Sequence, residues 1–229
     1  MPLPSFFWSY GGTISGKVCT KIEEPSEPVA QAWTDNYLCT NADLGLKWSY
    51  GGPIPGMTCT SFNEPSDPDG WSDNYLCSPS DLGMAFSVAG PLAGQACLQV
   101  NEPNDPDTWS DNYLCFSTTR WSYGGPIPGM TCTSFNEASD PDAWTDNFFC
   151  TSVDVGAKWA TPGAIPGLAC TQIDEPADPD TWSDNFLCFS GQNPTTWSHT
   201  GALVGRTCLN LTEPAEPAAQ GWSDNYICF

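Results

Sequence analysis

Three acids and one aromatic-amide step recur in every copy of a sixfold motif. The glutamate before the first proline of an E-P-x-[DE]-P loop is Glu24, Glu64, Glu102, Glu137, Glu175 or Glu213, and the acid before the second is Glu27, Asp67, Asp105, Asp140, Asp178 or Glu216. A W-[ST]-D-N-[YF] segment follows, giving Asp35, Asp73, Asp111, Asp146, Asp184 and Asp224 with Asn36, Asn74, Asn112, Asn147, Asn185 and Asn225. Crowding carboxylates onto one loop costs electrostatic energy that a hard cation or hydrogen-bond donors relieve. Calcium is therefore the expected cofactor, at Glu64, Asp67, Glu102, Asp105, Glu137, Asp140, Glu175 and Asp178. The Asp-Asn pairs, with Trp33, Trp71, Trp109, Trp144, Trp182 and Trp222 two or three positions earlier, form the expected ligand site. Carboxylate and amide hydrogen-bond vicinal hydroxyls, and an aromatic face covers the apolar side of a sugar ring. The competing reading makes the aspartates turn caps, the asparagines left-handed turn residues and the tryptophans core.

Paired carboxylates such as Asp67 and Asp73 could in principle serve a glycosidase. A hydrolase uses one site, whereas here every unit offers the same groups and no His, Lys, Ser or Cys constellation singles one out, so no enzyme is expected. Sixfold repetition favours avidity instead.

The units that position these residues begin at Trp8, Trp48, Phe86, Trp121, Trp159 and Trp197 and read W-x-x-x-G, an apolar turn ending in Gly, C, the acidic loop, and W-[ST]-D-N-[YF]-x-C; Ala138 alone breaks the first proline. Runs such as Met57 to Phe62 and Asn74 to Cys77 read as strands, with Glu64 to Gly70 as a loop between them. The cysteines are 18 positions apart in four units and 20 apart in the first and last, and the extra residues fall in the loop. An antiparallel hairpin with a variable loop behaves this way, which pairs Cys19 with Cys39, Cys59 with Cys77, Cys97 with Cys115, Cys132 with Cys150, Cys170 with Cys188 and Cys208 with Cys228. Zinc is the other use of paired thiols, disfavoured by a single histidine and the absence of C-x-x-C.

The stretches Trp8 to Phe116 and Trp121 to Phe229 are equal in length, and both end in Cys-Phe. This division predicts two domains, 1–116 and 121–229, of three repeats each, joined by the short link Ser117 to Arg120. The fold expected is all-β: two tandem pseudo-threefold β-prisms whose tryptophans fill each axis, with a single six-bladed β-propeller as the alternative. Prolines and glycines, 22 and 21 of them, recur at regular intervals and leave little room for helix.

A net charge of −21 repels phosphate backbones and anionic membranes, so nucleic acid is not an expected partner. No stretch approaches the ~20 apolar residues of a membrane-spanning helix. Twelve cysteines imply an oxidising, extracellular destination, although the opening MPLPSFFWSY has no basic region followed by a cleavable apolar run.

The combination G-P-I-x-G-M-x-C, E-P-x-D-P-x-x-W-x-D-N-[YF]-L-C resembles the repeat of β-prism modules found beside pore-forming perforin-like domains in some bacterial proteins. Size and threefold plan are also similar to the mannose-binding β-prism of monocot lectins, including tandem forms. That family's Q-x-D-x-N-x-V-x-Y signature is absent, so no sugar-site residue carries over. Both resemblances imply surface recognition without catalysis. The function expected is a secreted, multivalent carbohydrate-binding protein; the alternatives are a cell-attachment module of a pore-forming system and a disulfide-rich extracellular structural protein.

Overall fold

The computed structural model describes residues 5–26, 33–66, 71–105, 109–137, 144–178, 182–191, 195–215 and 222–229. Every unit contributes three antiparallel strands with the last of them in the middle; units one, two and five are separate three-stranded sheets, and units three, four and six join in one eight-stranded sheet. In the first unit β1 (Phe6–Ser9) and β2 (Val18–Ile22) flank β3 (Asn36–Thr40), and in the second β4 (Lys47–Ser49) and β5 (Thr58–Ser61) flank β6 (Tyr75–Ser78). The third has β7 (Met84–Ser87), β8 (Gln95–Gln99) and the start of β9 (Tyr113–Ser122); the fourth has the end of β9, β10 (Thr131–Ser134) and β11 (Phe148–Thr151). The fifth is β12 (Ala157–Ala160), β13 (Ala169–Ile173) and β14 (Asn185–Phe189), and the sixth β15 (Thr196–Ser198), β16 (Cys208–Asn210) and β17 (Tyr226–Cys228). Among the described residues the helical content is confined to single 3-10 turns such as Trp71–Asp73.

The cysteines of a unit stand directly opposite one another in the ladder, Cys59 against Cys77 for example, and the six cystines are those the spacing predicts. Each clips the second strand of its unit, in chain order, to the last. The Ser117 to Arg120 link is part of a continuous strand: β9 pairs with β7 and β8 near its start and with β11 near its end. Its ten residues are long enough for one backbone to serve both units, which a composition reading of four polar residues does not reveal.

Two hydrophobic clusters form the interior, one drawn from Phe6 to Phe116 and the other from Trp121 to Phe229 with Ala96 added. At the centre of the first, Trp33, Trp71 and Trp109 touch one another at centroid distances of 4.4, 4.5 and 4.5 Å. Trp144, Trp182 and Trp222 repeat the closed triad at 4.3 to 4.4 Å. A second indole in most units ties each sheet to a neighbour. Trp8 Nε1 donates to the Asn101 carbonyl and Trp48 Nε1 to that of Glu23, so unit one is tied to unit three and unit two to unit one. In the second half Trp121 donates to Thr212, Trp159 to Asn136 and Trp197 to Asp174, the same cyclic order. Phe86 occupies this position in the third unit and has no N–H to donate.

Candidate functional site

Within W-[ST]-D-N the chain turns so tightly that neighbouring side chains leave in opposite directions. The tryptophan goes inward: Trp33, Trp71, Trp109, Trp144, Trp182 and Trp222 are 1% to 3% exposed and fill the two triads, so their rings present no face to an outside ligand. The asparagine goes inward too. Asn36, Asn74, Asn112, Asn147, Asn185 and Asn225 are fully buried. Asn36 Nδ2 donates to Glu102 Oε2 at 2.9 Å, Asn74 to Glu24 at 2.8 Å and Asn147 to Glu213 at 2.7 Å, each reaching across to another unit.

The acidic loop is likewise committed to the fold. Glu64, Glu102, Glu137 and Glu175 are buried. Oε1 of Glu24, Glu64, Glu102, Glu175 and Glu213 accepts the backbone N–H two residues on, closing the turn at 2.8 to 2.9 Å. Oε2 of Glu137 accepts the Thr161 hydroxyl at 3.2 Å. Asp105 and Asp178 accept the indole N–H of Trp33 and Trp222 at 2.6 and 2.8 Å. Among the described residues no three His, Cys, Asp or Glu side chains converge to hold an ion; one carboxylate oxygen of each of Glu64, Glu102 and Glu175 accepts a backbone N–H, while Oε2 of Glu64 and of Glu175 is buried without a hydrogen-bond partner. Asp67 and Asp140, the other acids of two of the expected calcium sites, lie outside the described residues.

The aspartates of the motif point the other way. Asp35, Asp73, Asp111, Asp146 and Asp224 are exposed and Asp184 half-buried, and none of these carboxylates has a hydrogen bond among the described residues. Their backbone carbonyls hold the first turn of the unit: Gly12, Gly52, Gly90, Gly125, Gly163 and Gly201 donate to Asp35, Asp73, Asp111, Asp146, Asp184 and Asp224 at 2.8 to 3.0 Å. In three units that turn is Ser-Tyr-Gly-Gly. Its serine hydroxyl donates to the second glycine's carbonyl at 2.6 to 2.7 Å. The second glycine has φ near +100°, as at Gly52 (φ 101), a conformation that strains any other L residue. The first glycine, as at Gly51, has nothing within 4 Å of where a Cβ would stand, so the surface beside the tyrosine is open.

The result is an exposed ring and an exposed carboxylate on two segments that one backbone bond ties together, three times over. Tyr10, Tyr50 and Tyr123 are 47%, 53% and 53% exposed, each two residues before the glycine that bonds Asp35, Asp73 or Asp146. Val88, Thr161 and His199 take the tyrosine's place in the other units. Motif recurrence alone misses these tyrosines, because they lie outside the segment that all six units share. The available signal was an aromatic residue directly before a Gly-Gly turn, where side chains face solvent.

Two further tyrosines lie where the halves meet. Burial, then the Asp111 charge, raises the Tyr113 hydroxyl above its ordinary value; burial, then Tyr113 and Asp224, raises Tyr226. Burial lowers the Arg206 guanidinium. Compared with protein-family models, curated proteins and solved structures, the chain matches none.

Proposed function

We propose that the chain is a multivalent carbohydrate-binding protein, built as two three-unit β-prisms, whose sites are the tyrosine-aspartate edges of its units. The observation that carries this reading is the repeated pairing of an exposed ring with an exposed, unbonded carboxylate at Tyr10/Asp35, Tyr50/Asp73 and Tyr123/Asp146. A ring face covers the C–H side of a pyranose while the carboxylate accepts hydrogen bonds from its hydroxyls. Each open edge alone is a weak site; several on one rigid body give useful attachment through avidity. The proposal assigns the chain no reaction. Six cystines suit an oxidising environment, and secretion to a glycan-bearing surface belongs to the same proposal.

A glycan array run with and without calcium tests ligand class and cation dependence together. Replacing both Asp73 and Asp146 by alanine is expected to lower binding at least tenfold while leaving thermal stability within the narrow range usual for exposed positions, about 0.5 kcal/mol. Binding untouched by the double substitution would move the site to another face. An array blank at high protein concentration, with binding to liposomes of one head group, would favour a membrane-attachment module.

A further inference from the structure

The chain's two arginines, Arg120 and Arg206, both fall where its halves join. There β8 pairs with β16, setting Cys97 against Cys208, and the halves bond in equivalent ways: Trp121 N donates to the Gly94 carbonyl at 3.1 Å and Trp8 N to that of Gly205 at 3.2 Å. This pseudo-twofold arrangement puts a cleft beside each half's first tyrosine. One of about 380 Å³ adjoins Tyr10, with Gln99, Asn101 and Val204 on its walls. The other is a pair of adjoining hollows of about 300 and 390 Å³ that share Gly94, Trp121 and Tyr123; Gln95 lines the first and Arg120 the second.

The two sides differ in their chemistry. Arg206 is satisfied, its Nε donating to the Phe229 carbonyl at 3.3 Å and its Nη1 to Thr196 Oγ1 at 2.8 Å. On the Tyr123 side, Gln95 Oε1 and Arg120 Nε are both buried and have no hydrogen-bond partner. These residues face one another across β8 and β9 where the register shifts, so that Gln95 opposes Arg120 while Ala96 opposes Phe116. A register irregularity of this kind re-aims side chains, and it recurs beside binding sites. A buried acceptor and a buried donor left open cost stability unless something bonds them.

We infer that the cleft between Gln95, Arg120 and Tyr123 is the principal sugar site of the chain and takes one neutral pyranose ring. A hydroxyl both donates and accepts, so two ring hydroxyls satisfy Arg120 Nε and Gln95 Oε1 together while Tyr123 covers the C–H face. The two hollows adjoin at Gly94, Trp121 and Tyr123, so a ring seated across them meets Gln95 from the first and Arg120 from the second. The net charge of −21 disfavours an anionic ligand at the mouth. This inference rests on the carbohydrate reading above and sets the Tyr123 edge ahead of the Tyr10 edge, whose cleft has no unpaired buried donor and acceptor among its described lining residues.

Calorimetric titration of the whole chain with methyl glycosides of mannose, glucose, galactose and N-acetylglucosamine tests it. One of these is expected to show one site per chain that is tighter than the rest, and Arg120→Lys or Gln95→Ala weakens that site at least tenfold while Val153→Ala, a change at an exposed position, leaves it unchanged. If either cleft variant fails to fold, saturation-transfer spectra of the unaltered protein decide, with contacts from the sugar expected at the Tyr123 ring. A tight site indifferent to both variants, contacts at other tyrosines only, preference for a uronic acid, or a cleft holding only water would overturn the inference. Array binding without a distinct tight site would overturn it while leaving multivalent recognition standing; a blank array would sink both.

Discussion

Replacing Trp182 by alanine is expected to destabilise the protein by about 3–5 kcal/mol, the usual cost of emptying an aromatic site in a packed core. Trp182 is 1% exposed and touches Trp144 and Trp222 at 4.4 Å each. Both remaining indoles would border the void, and each aromatic contact adds roughly 0.5–1.5 kcal/mol beyond area burial. The cystines do not repair the loss, because each joins two strands of one unit, whereas the triad joins three units. Chemical denaturation of the oxidised protein measures the change. A loss under about 1 kcal/mol would place Trp182 among surface residues and contradict the threefold closure.

Removal of Glu102 is expected to have a comparable effect. Its carboxylate is 1% exposed and accepts from the Asn104 backbone N–H and from Asn36 Nδ2, both at 2.9 Å. Bonds to a charged acceptor contribute about 1.5–3 kcal/mol each, and alanine would also leave the Asn36 amide buried without this acceptor. Glu102→Ala is therefore expected to cost about 3–5 kcal/mol. Glu102→Gln keeps an acceptor oxygen and is expected to cost less. Combined with Asn36→Ala, the loss should fall short of the sum of the singles, since the two share one bond. If Glu102 were instead a calcium ligand, the alanine variant's stability would match that of the chelated wild type.

The cystine pairs were legible in the sequence because spacing changed only where the loop lengthened, at positions that do not move the strands. The fate of the W-[ST]-D-N segment was not. Recurrence shows that Trp71, Asp73 and Asn74 are needed, yet a tight turn sends the tryptophan and asparagine inward and the aspartate outward, and recurrence is blind to direction. The same limit applied to Glu102, whose partner Asn36 lies 66 residues away and in another unit. Strand order was hidden as well: a hairpin reading of Cys59 and Cys77 is correct for β5 and β6, but the third strand, β4, pairs on the far side of β6. Tyr50 escaped because it is shared by only some units, and that partial recurrence marks a surface free to differ from unit to unit.

The measurement closest to the central claim compares the wild type with the triple variant Tyr10→Ala/Tyr50→Ala/Tyr123→Ala on a surface coated with the glycan that the array returns. Because the three rings are half exposed and stand outside both tryptophan triads, the variant should keep its melting temperature. Loss of several linked weak sites is expected to lower apparent affinity by about 10²–10⁴-fold. Full retention of binding by a folded triple variant would contradict the account.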